Sequence, residues 1–424
     1  MKFSFSILAA SLIGFSCGYI PINSGVTTGF ENWEKTFDSP SFNKLDRYAL
    51  IVNPTSVIRN LTLIADYLHK TNQINIVALA GPEHGIRGAA QAGEPLGGTV
   101  FRDLVTGLPI YDGYSFRTGA AWAQAFNDMG VDTLVFDIQD AGSRFYTYIW
   151  TLYDAMVGAT LAGKKMIVLD RPNPISGDII DGDVLNMAYS SFIGRRSIST
   201  QHGMTVAELA MLFNNEFLPV DPELSNSTVK MVELEVVKMS GWDRSMFYDQ
   251  TGLNWILPSP NMPNPDTALV YPGQGFFEGT ALSEGRGTTQ PFIVFGSNYL
   301  VGSDLTRFQD AMNSLNLPGV IFSQYYFNTK FSKLANSNSG GLKLFITDRS
   351  KYRSVPTTIA LLSKLKEMFP AKFQLLASPA LQLRTGTDSV YNMLNTNADY
   401  ESIIADYQSR LKSFESVRSK YLLY

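Results

Sequence analysis

The stretch NIVALAGPEHGIRG, Asn75 to Gly88, sets the reading of the whole chain. Apolar residues from Ile76 to Ala80 run into Gly-Pro, and Glu83 and His84 then stand side by side between a proline and a glycine. A short continuous apolar run that stops at turn residues predicts a strand buried on both faces. Similar runs lie on either side: YALIVN (48–53), LPIY (108–111), TLVFDI (133–138) and KMIVLD (165–170). Helical stretches separate them, one ending at His69, one over 120–129 and a long one over 147–162. This alternation predicts an α/β fold, a Rossmann-like, mostly parallel sheet with helices on both faces. HGMTVAELAMLFNNEF (202–217) adds a helix with Thr205 as its cap and Glu208 three residues on. VKMVELEVVKM (229–239) alternates, as a more exposed strand does.

Between Trp255 and Gln290 the texture turns to proline, glycine and asparagine, which reads as a loop joining two domains. The expected division is a Rossmann-like domain over 19–257 and a smaller C-terminal α/β domain over 258–424 that closes a cleft. Ile404, Tyr407, Leu411, Phe414, Val417 and Tyr421 keep helical spacing in a last helix. A chain of 424 residues, 45% hydrophobic and 17% charged, has enough apolar material for sizeable cores. Its net charge of −4 and the lack of any Lys/Arg run argue against nucleic acid or an anionic membrane as partner. A neutral or weakly anionic small substrate fits better. At the N-terminus one lysine precedes an apolar stretch of about a dozen residues ending in Ser16-Cys17-Gly18, the layout of a signal peptide over 1–18. The expected product is secreted or periplasmic. Cys17 is the only cysteine, so the mature chain would hold no disulfide, thiol nucleophile or thiolate metal site.

Four of the apolar runs end in polar, sharply turning loops: NPTS, GPEHGIRG, DIQDAGSRFYTY and DRPNPISGD. In an open parallel sheet the ligand crevice lies outside the carboxyl ends of the strands, so these loops should converge on one site. They carry Glu83, His84, Arg87, Asp137, Asp140, Arg144, Asp170, Arg171 and Asn173; His202 in QHGMT and Glu278, Glu284 and Arg286 in EGTALSEGRGT complete the candidates. Each has an ordinary structural use as well. Asp137 and Asp140 could cap a helix, Arg144 could be an ion-pair partner, and Asp170 and Arg171 could fasten the RPNP turn. No G-x-G-x-x-G follows a strand, and neither a P-loop nor a G-x-S-x-G elbow occurs. The histidines lack metal-ligand spacing, so neither cofactor nor metal is expected. Carboxylates, histidines and arginines between glycines are the equipment of acid–base hydrolysis of a polar substrate.

GPEHGIRG, VFDIQDAGSRFYTYIWTL, LDRPNPISGDIIDG, HGMTVAELA, PSPNMP, YPGQGFFEGTALSEGRGT and the terminal SVRSKYLLY together resemble the exo-β-N-acetylmuramidases, a family of peptidoglycan glycoside hydrolases. The resemblance runs in order from about Arg47 to Tyr424. It implies a Rossmann-like domain joined to a smaller α/β domain, with the active site between them. The implied activity is removal of N-acetylmuramic acid from the non-reducing end of peptidoglycan fragments. The family's PEHG glutamate, thought to be catalytic, falls on Glu83. Glycoside cleavage needs a proton for the leaving oxygen and a group to meet oxocarbenium-like charge. Glu83 suits the first role, with His84 to orient it. Asp137 and Asp140, with Asp170 behind them, are candidates for the second, as base, nucleophile or a group steering the substrate's acetamido oxygen. The lactyl carboxylate of such a substrate wants a guanidinium, for which Arg144, Arg87 and Arg286 stand in suitable loops. The rival expectation is a secreted binder of muropeptides or amino sugars with the same fold and no turnover.

Overall fold

The apolar runs become neighbouring strands of one seven-stranded sheet in the computed structural model, which describes residues 25–91, 93–94 and 100–424. The leader read at 1–18 lies outside the described residues. In chain order the strands are β1 (Arg47–Val52), β2 (Asn75–Gly81), β3 (Val100–Arg102), β4 (Pro109–Asp112), β5 (Thr133–Asp137) and β6 (Lys165–Leu169). A hairpin of β7 (Asp181–Val184) and β8 (Ser199–Gln201) stands apart from the sheet, and β9 (Glu233–Val237) completes it. The spatial order is β3-β4-β2-β1-β5-β6-β9, parallel throughout except for β3 on β4. From β1 the chain winds outward through β2 to β4, then returns to β5 and winds the other way. The switch point therefore lies between β1 and β5, where Val52 pairs with Asp137.

Alternate side chains of each strand enter opposite cores, as the two-residue period requires. Tyr48, Leu50 and Val52 pack with α1 (Gly29–Glu34) and α2 (Ile64–Thr71). Ala49 and Ile51 face α3 (Gly119–Met129), α4 (Tyr148–Ala162) and α5 (Val206–Leu212). A Cβ on Gly119 would lie 2.2 Å from Val157 and one on Gly158 2.5 Å from Trp122, so these two glycines let α3 and α4 touch. Thr205 and Glu208 form the expected capping box on α5. β9 is half-exposed, in keeping with its alternation.

The segment over 255–290 is more ordered than its composition predicts. It contains α6 (Pro265–Gln274) and a 3₁₀ turn over Gly275–Gly279, both largely buried. Asn264 caps the helix by accepting the Thr267 N–H at 2.9 Å, and Pro265 fills the first position, where no N–H is needed. Burial outweighs the poor helix propensity of Pro272 and Gly273. Beyond it, β10 (Val294–Ser297), β11 (Val320–Asn328) and β12 (Asn338–Ile346) form an antiparallel sheet in the order β10-β12-β11. Its helices are α7 (Gly302–Ser314), α8 (Ser354–Met368), α9 (Ala380–Thr385), α10 (Ser389–Asn395) and α11 (Tyr400–Arg418). The buried stripe of α11 is Ile403, Tyr407, Leu411, Phe414 and Arg418; Ile404 and Val417 flank it. The chain end returns to the first sheet, where the Tyr424 hydroxyl donates to Asp170 at 2.7 Å. No described helix is long and apolar enough to cross a membrane.

Candidate active site

Side chains lace the loops after β1 and β5 together across the switch point. Asn53 accepts the Thr55 N–H at 2.9 Å, Thr55 accepts the Gln139 N–H at 2.9 Å, and Ser56 donates to the Asp137 carbonyl. After β2 the chain turns at once. The Gly85 N–H closes a turn on the Pro82 carbonyl at 2.8 Å, with His84 at the third position and φ +72°. The His84 ring is buried and its Nδ1 donates to the Ala90 carbonyl at 2.8 Å, which fixes the turn. Glu83 is left half-buried with both carboxylate oxygens oriented: one accepts the Gly93 N–H at 2.9 Å, the other the Thr147 hydroxyl at 2.8 Å.

Tyrosines pack beside the Glu83 turn. The Tyr148 hydroxyl donates to the Pro258 carbonyl and lies 3.4 Å from the Glu83 carbonyl oxygen. Tyr146 packs edge-on against Tyr148 at 4.9 Å and against Tyr271 at 5.8 Å. Burial pushes the Tyr148 hydroxyl well above its ordinary range, and the charges of Glu83 and Asp140 add to it, so both carboxylates act on one phenol. Burial, then Glu83, raises Tyr114 too, whose ring carries the Arg117 guanidinium at 4.0 Å. Asp140 accepts the Gly142 N–H at 2.7 Å and pairs with His202 Nε2 at 3.2 Å through one oxygen. His202 Nδ1 accepts the Met204 N–H at 3.2 Å, so Nε2 carries the proton toward Asp140. Asp140 Oδ1, Asn53 Nδ2 and the Tyr146 hydroxyl are buried without a hydrogen-bond partner among the described residues.

The C-terminal half contributes a charge cluster. Glu278 is gripped by Arg286 through one oxygen and by Arg384 at 3.0 Å through the other; Glu284 pairs with Arg286 at 3.2 Å and Lys333 at 3.1 Å. Burial alone would raise the Glu278 carboxyl, but the two guanidiniums win and hold it below the usual carboxylate range. Tyr271 of α6 links the two halves. Its ring packs on Phe145 at 5.0 Å, and its hydroxyl is pushed up by burial and then by Glu278, with Glu83 adding and both arginines opposing.

Family models described as the N-terminal and C-terminal parts of the exo-β-N-acetylmuramidase NamZ match residues 48–266 and 269–424. The peptidoglycan β-N-acetylmuramidase NamZ of Bacillus subtilis (strain 168) is 38% identical over 95% of this chain and 91% of its own length. The chain belongs to the exo-β-N-acetylmuramidase family. Two crystal structures of DUF1343 family proteins from Bacteroides fragilis NCTC 9343 share the fold of this family member. One has a TM-score of 0.82 at 33% identity, covering 94% of this chain and 99% of that one. The other has 0.73 at 29%, covering 95% and 99%.

Within this family member the candidates separate into two groups. The charges of Glu83 and Asp140 both raise the Tyr148 hydroxyl and that of Glu278 raises Tyr271, while Glu284 and Arg286 belong to the Glu278 cluster. The others have protein partners of their own in the structure. Asp137 forms a two-point ion pair with Arg171, both buried, so neither offers a free charge. Asp170 accepts the Ala207 N–H at 3.0 Å and the Tyr424 hydroxyl, and Asn173 donates to the Met204 carbonyl at 3.0 Å. Arg144, expected to face a carboxylate, is fully buried and donates to the carbonyls of Asp183, Ile198 and Arg384 at 2.7–3.0 Å. Arg87 is held by Asp66 and Asp103, both at 2.7 Å. His84 and His202 brace a turn and Asp140 respectively. Tyr271, Thr147, Asn53, Lys333 and Arg384 were not singled out by the sequence; only the tyrosine pair in FYTY (145–148), beside a strand end, gave a local signal.

Proposed function

We propose that this chain is a glycoside hydrolase that releases N-acetylmuramic acid from the non-reducing end of peptidoglycan fragments, with Glu83 as general acid and Asp140 as the second carboxylate. The observation that supports the assignment of roles is the placement of the two carboxylates at strand ends: Glu83, half-buried after β2, is held by the Gly93 N–H and the Thr147 hydroxyl, and Asp140, after β5, has one oxygen held by Gly142 and His202 and the other without a partner among the described residues. The 38% identity to a peptidoglycan β-N-acetylmuramidase supports the substrate class. Glu83 gives its proton to the leaving glycosidic oxygen as that bond breaks, and Asp140 meets the positive charge growing on the sugar ring. The water that completes hydrolysis returns a proton to the carboxylate pair. His202 keeps Asp140 in place through its Nε2–H.

Export is part of the proposal. Its support is the leader-like sequence over 1–18, and protein recovered from the medium or periplasm should begin at Tyr19. The direct test of function uses nitrophenyl β-N-acetylmuramoside with the purified protein. Catalytic release of nitrophenol supports the hydrolase; saturable binding without release supports a non-catalytic wall-fragment binder and overturns the proposal.

A further inference from the structure

The cluster around Glu278 holds three cations, Arg286, Arg384 and Lys333, against two carboxylates, Glu278 and Glu284. Bracing alone needs no surplus cation. Lys333 is engaged fully: besides Glu284 it donates to the carbonyls of Phe277 and Leu282. The two arginines are not. Arg384 uses Nε on Glu278 and Nη1 on the Ala380 carbonyl, while Arg286 uses only Nη1, on Glu278 and Glu284. The Nη2 of each, and the buried Nε of Arg286, make no hydrogen bond among the described residues. Both side chains keep about one-fifth of their surface exposed, 19% for Arg286 and 21% for Arg384.

A chain of buried aromatic contacts connects the pair to the Glu83 turn. The Arg286 guanidinium lies 4.7 Å over Phe292, and Phe292 packs edge-on to Tyr271 at 4.7 Å. From Tyr271 the contacts continue through Tyr146 and Tyr148 to the Glu83 turn. Glu278 sits between the guanidiniums and orients both forks. Resting on the function proposed above, we infer that Arg286 and Arg384 form the subsite for the lactyl carboxylate of the muramic acid ring, and that Arg384 is its specificity-determining member. N-acetylmuramic acid differs from N-acetylglucosamine by that O3-lactyl ether alone, so its carboxylate is the one charge a site can use to tell them apart. A two-point guanidinium contact recognises it by shape as well as by charge.

The test compares nitrophenyl β-N-acetylmuramoside with its lactyl methyl ester on wild type, Arg384→Gln and Arg384→Lys, with melting temperatures recorded. Wild type should favour the acid. Arg384→Gln should raise KM for the acid about 10- to 100-fold while moving the ester by less than about threefold, so that discrimination collapses. Arg384→Lys should restore part of it, having charge without the fork. Unchanged discrimination in Arg384→Gln, or equal losses on acid and ester at a normal melting temperature, overturns the inference. If wild type hydrolyses neither compound, the proposed function fails first. Calorimetry then decides the subsite: tighter binding of N-acetylmuramic acid than of N-acetylglucosamine, lost in Arg384→Gln, supports it, and equal binding of the two sugars overturns it.

Discussion

Replacing Glu83 by glutamine separates a structural carboxylate from a catalytic one. The side chain makes two hydrogen bonds, to the Gly93 N–H at 2.9 Å and the Thr147 hydroxyl at 2.8 Å. In Glu83→Gln the amide oxygen still accepts from Gly93, and the amide nitrogen donates to a Thr147 hydroxyl turned to accept. Both contacts survive at a half-buried site, so stability should change by about 1 kcal/mol or less. The amide has no acidic proton to give. A general acid contributes about 10²–10⁴-fold, or about 3–5 kcal/mol of barrier, and kcat on the natural disaccharide should fall by that factor. A nitrophenolate leaves without protonation, so the aryl glycoside should lose less than about tenfold. The assay pairs kcat on both substrates with a melting curve. Near-wild-type kcat on the disaccharide, or equal losses on the two substrates, would refute the reasoning.

Asp140→Asn should lower kcat on aryl and natural glycosides alike, because the developing ring charge is common to both. Asp137→Asn should act on stability instead, breaking a buried pair with Arg171 at a cost of about 3–5 kcal/mol, read from the urea midpoint. Burial pushes the Asp170 carboxyl up to about 7, against an unfolded value of about 3.9. Between pH 4 and 7 the folded chain holds a proton that the unfolded chain has released, so this group's contribution to stability falls as pH rises through that window. Asp170→Asn should flatten the decline between pH 5 and 7.5 in urea titrations; an identical slope would reject the assignment. Gly386 has φ +87°, and a Cβ there would come 2.6 Å from Arg144 Nη2. Gly386→Ala should therefore cost about 1–3 kcal/mol in a thermal melt.

The parallel sheet was legible because its strands are buried on both faces and read as unbroken apolar runs, Tyr48–Val52 and Ile76–Ala80 among them. Convergence of the strand-end loops followed from the topology rule, and Glu83 stood out beside the glycines of one such loop. α6 stayed hidden because Pro265, Pro272 and Gly273 mark a loop by local propensity, whereas burial against α8 residues such as Ser354 and Thr358 decides the outcome. Which charges are free was not legible. Asp137 and Asp140 look alike three residues apart, yet Arg171 takes the first and leaves one oxygen of the second unpaired among the described residues. Arg144 and Arg286 each sit in a glycine-bearing loop, and only the fold shows one facing backbone carbonyls and the other facing carboxylates. Arg384 gave no local signal, since its partner Glu278 lies 106 residues away in sequence.

The central claim is release of the terminal N-acetylmuramic acid from the non-reducing end of a glycan. Peptidoglycan-derived oligosaccharides with a labelled reducing end and a terminal N-acetylmuramic acid, incubated with the purified protein and followed by mass spectrometry, test it most directly. Free N-acetylmuramic acid should appear while the labelled chain shortens by that one terminal residue. Internal fragments, or an intact chain that merely co-purifies with the protein, would contradict the account.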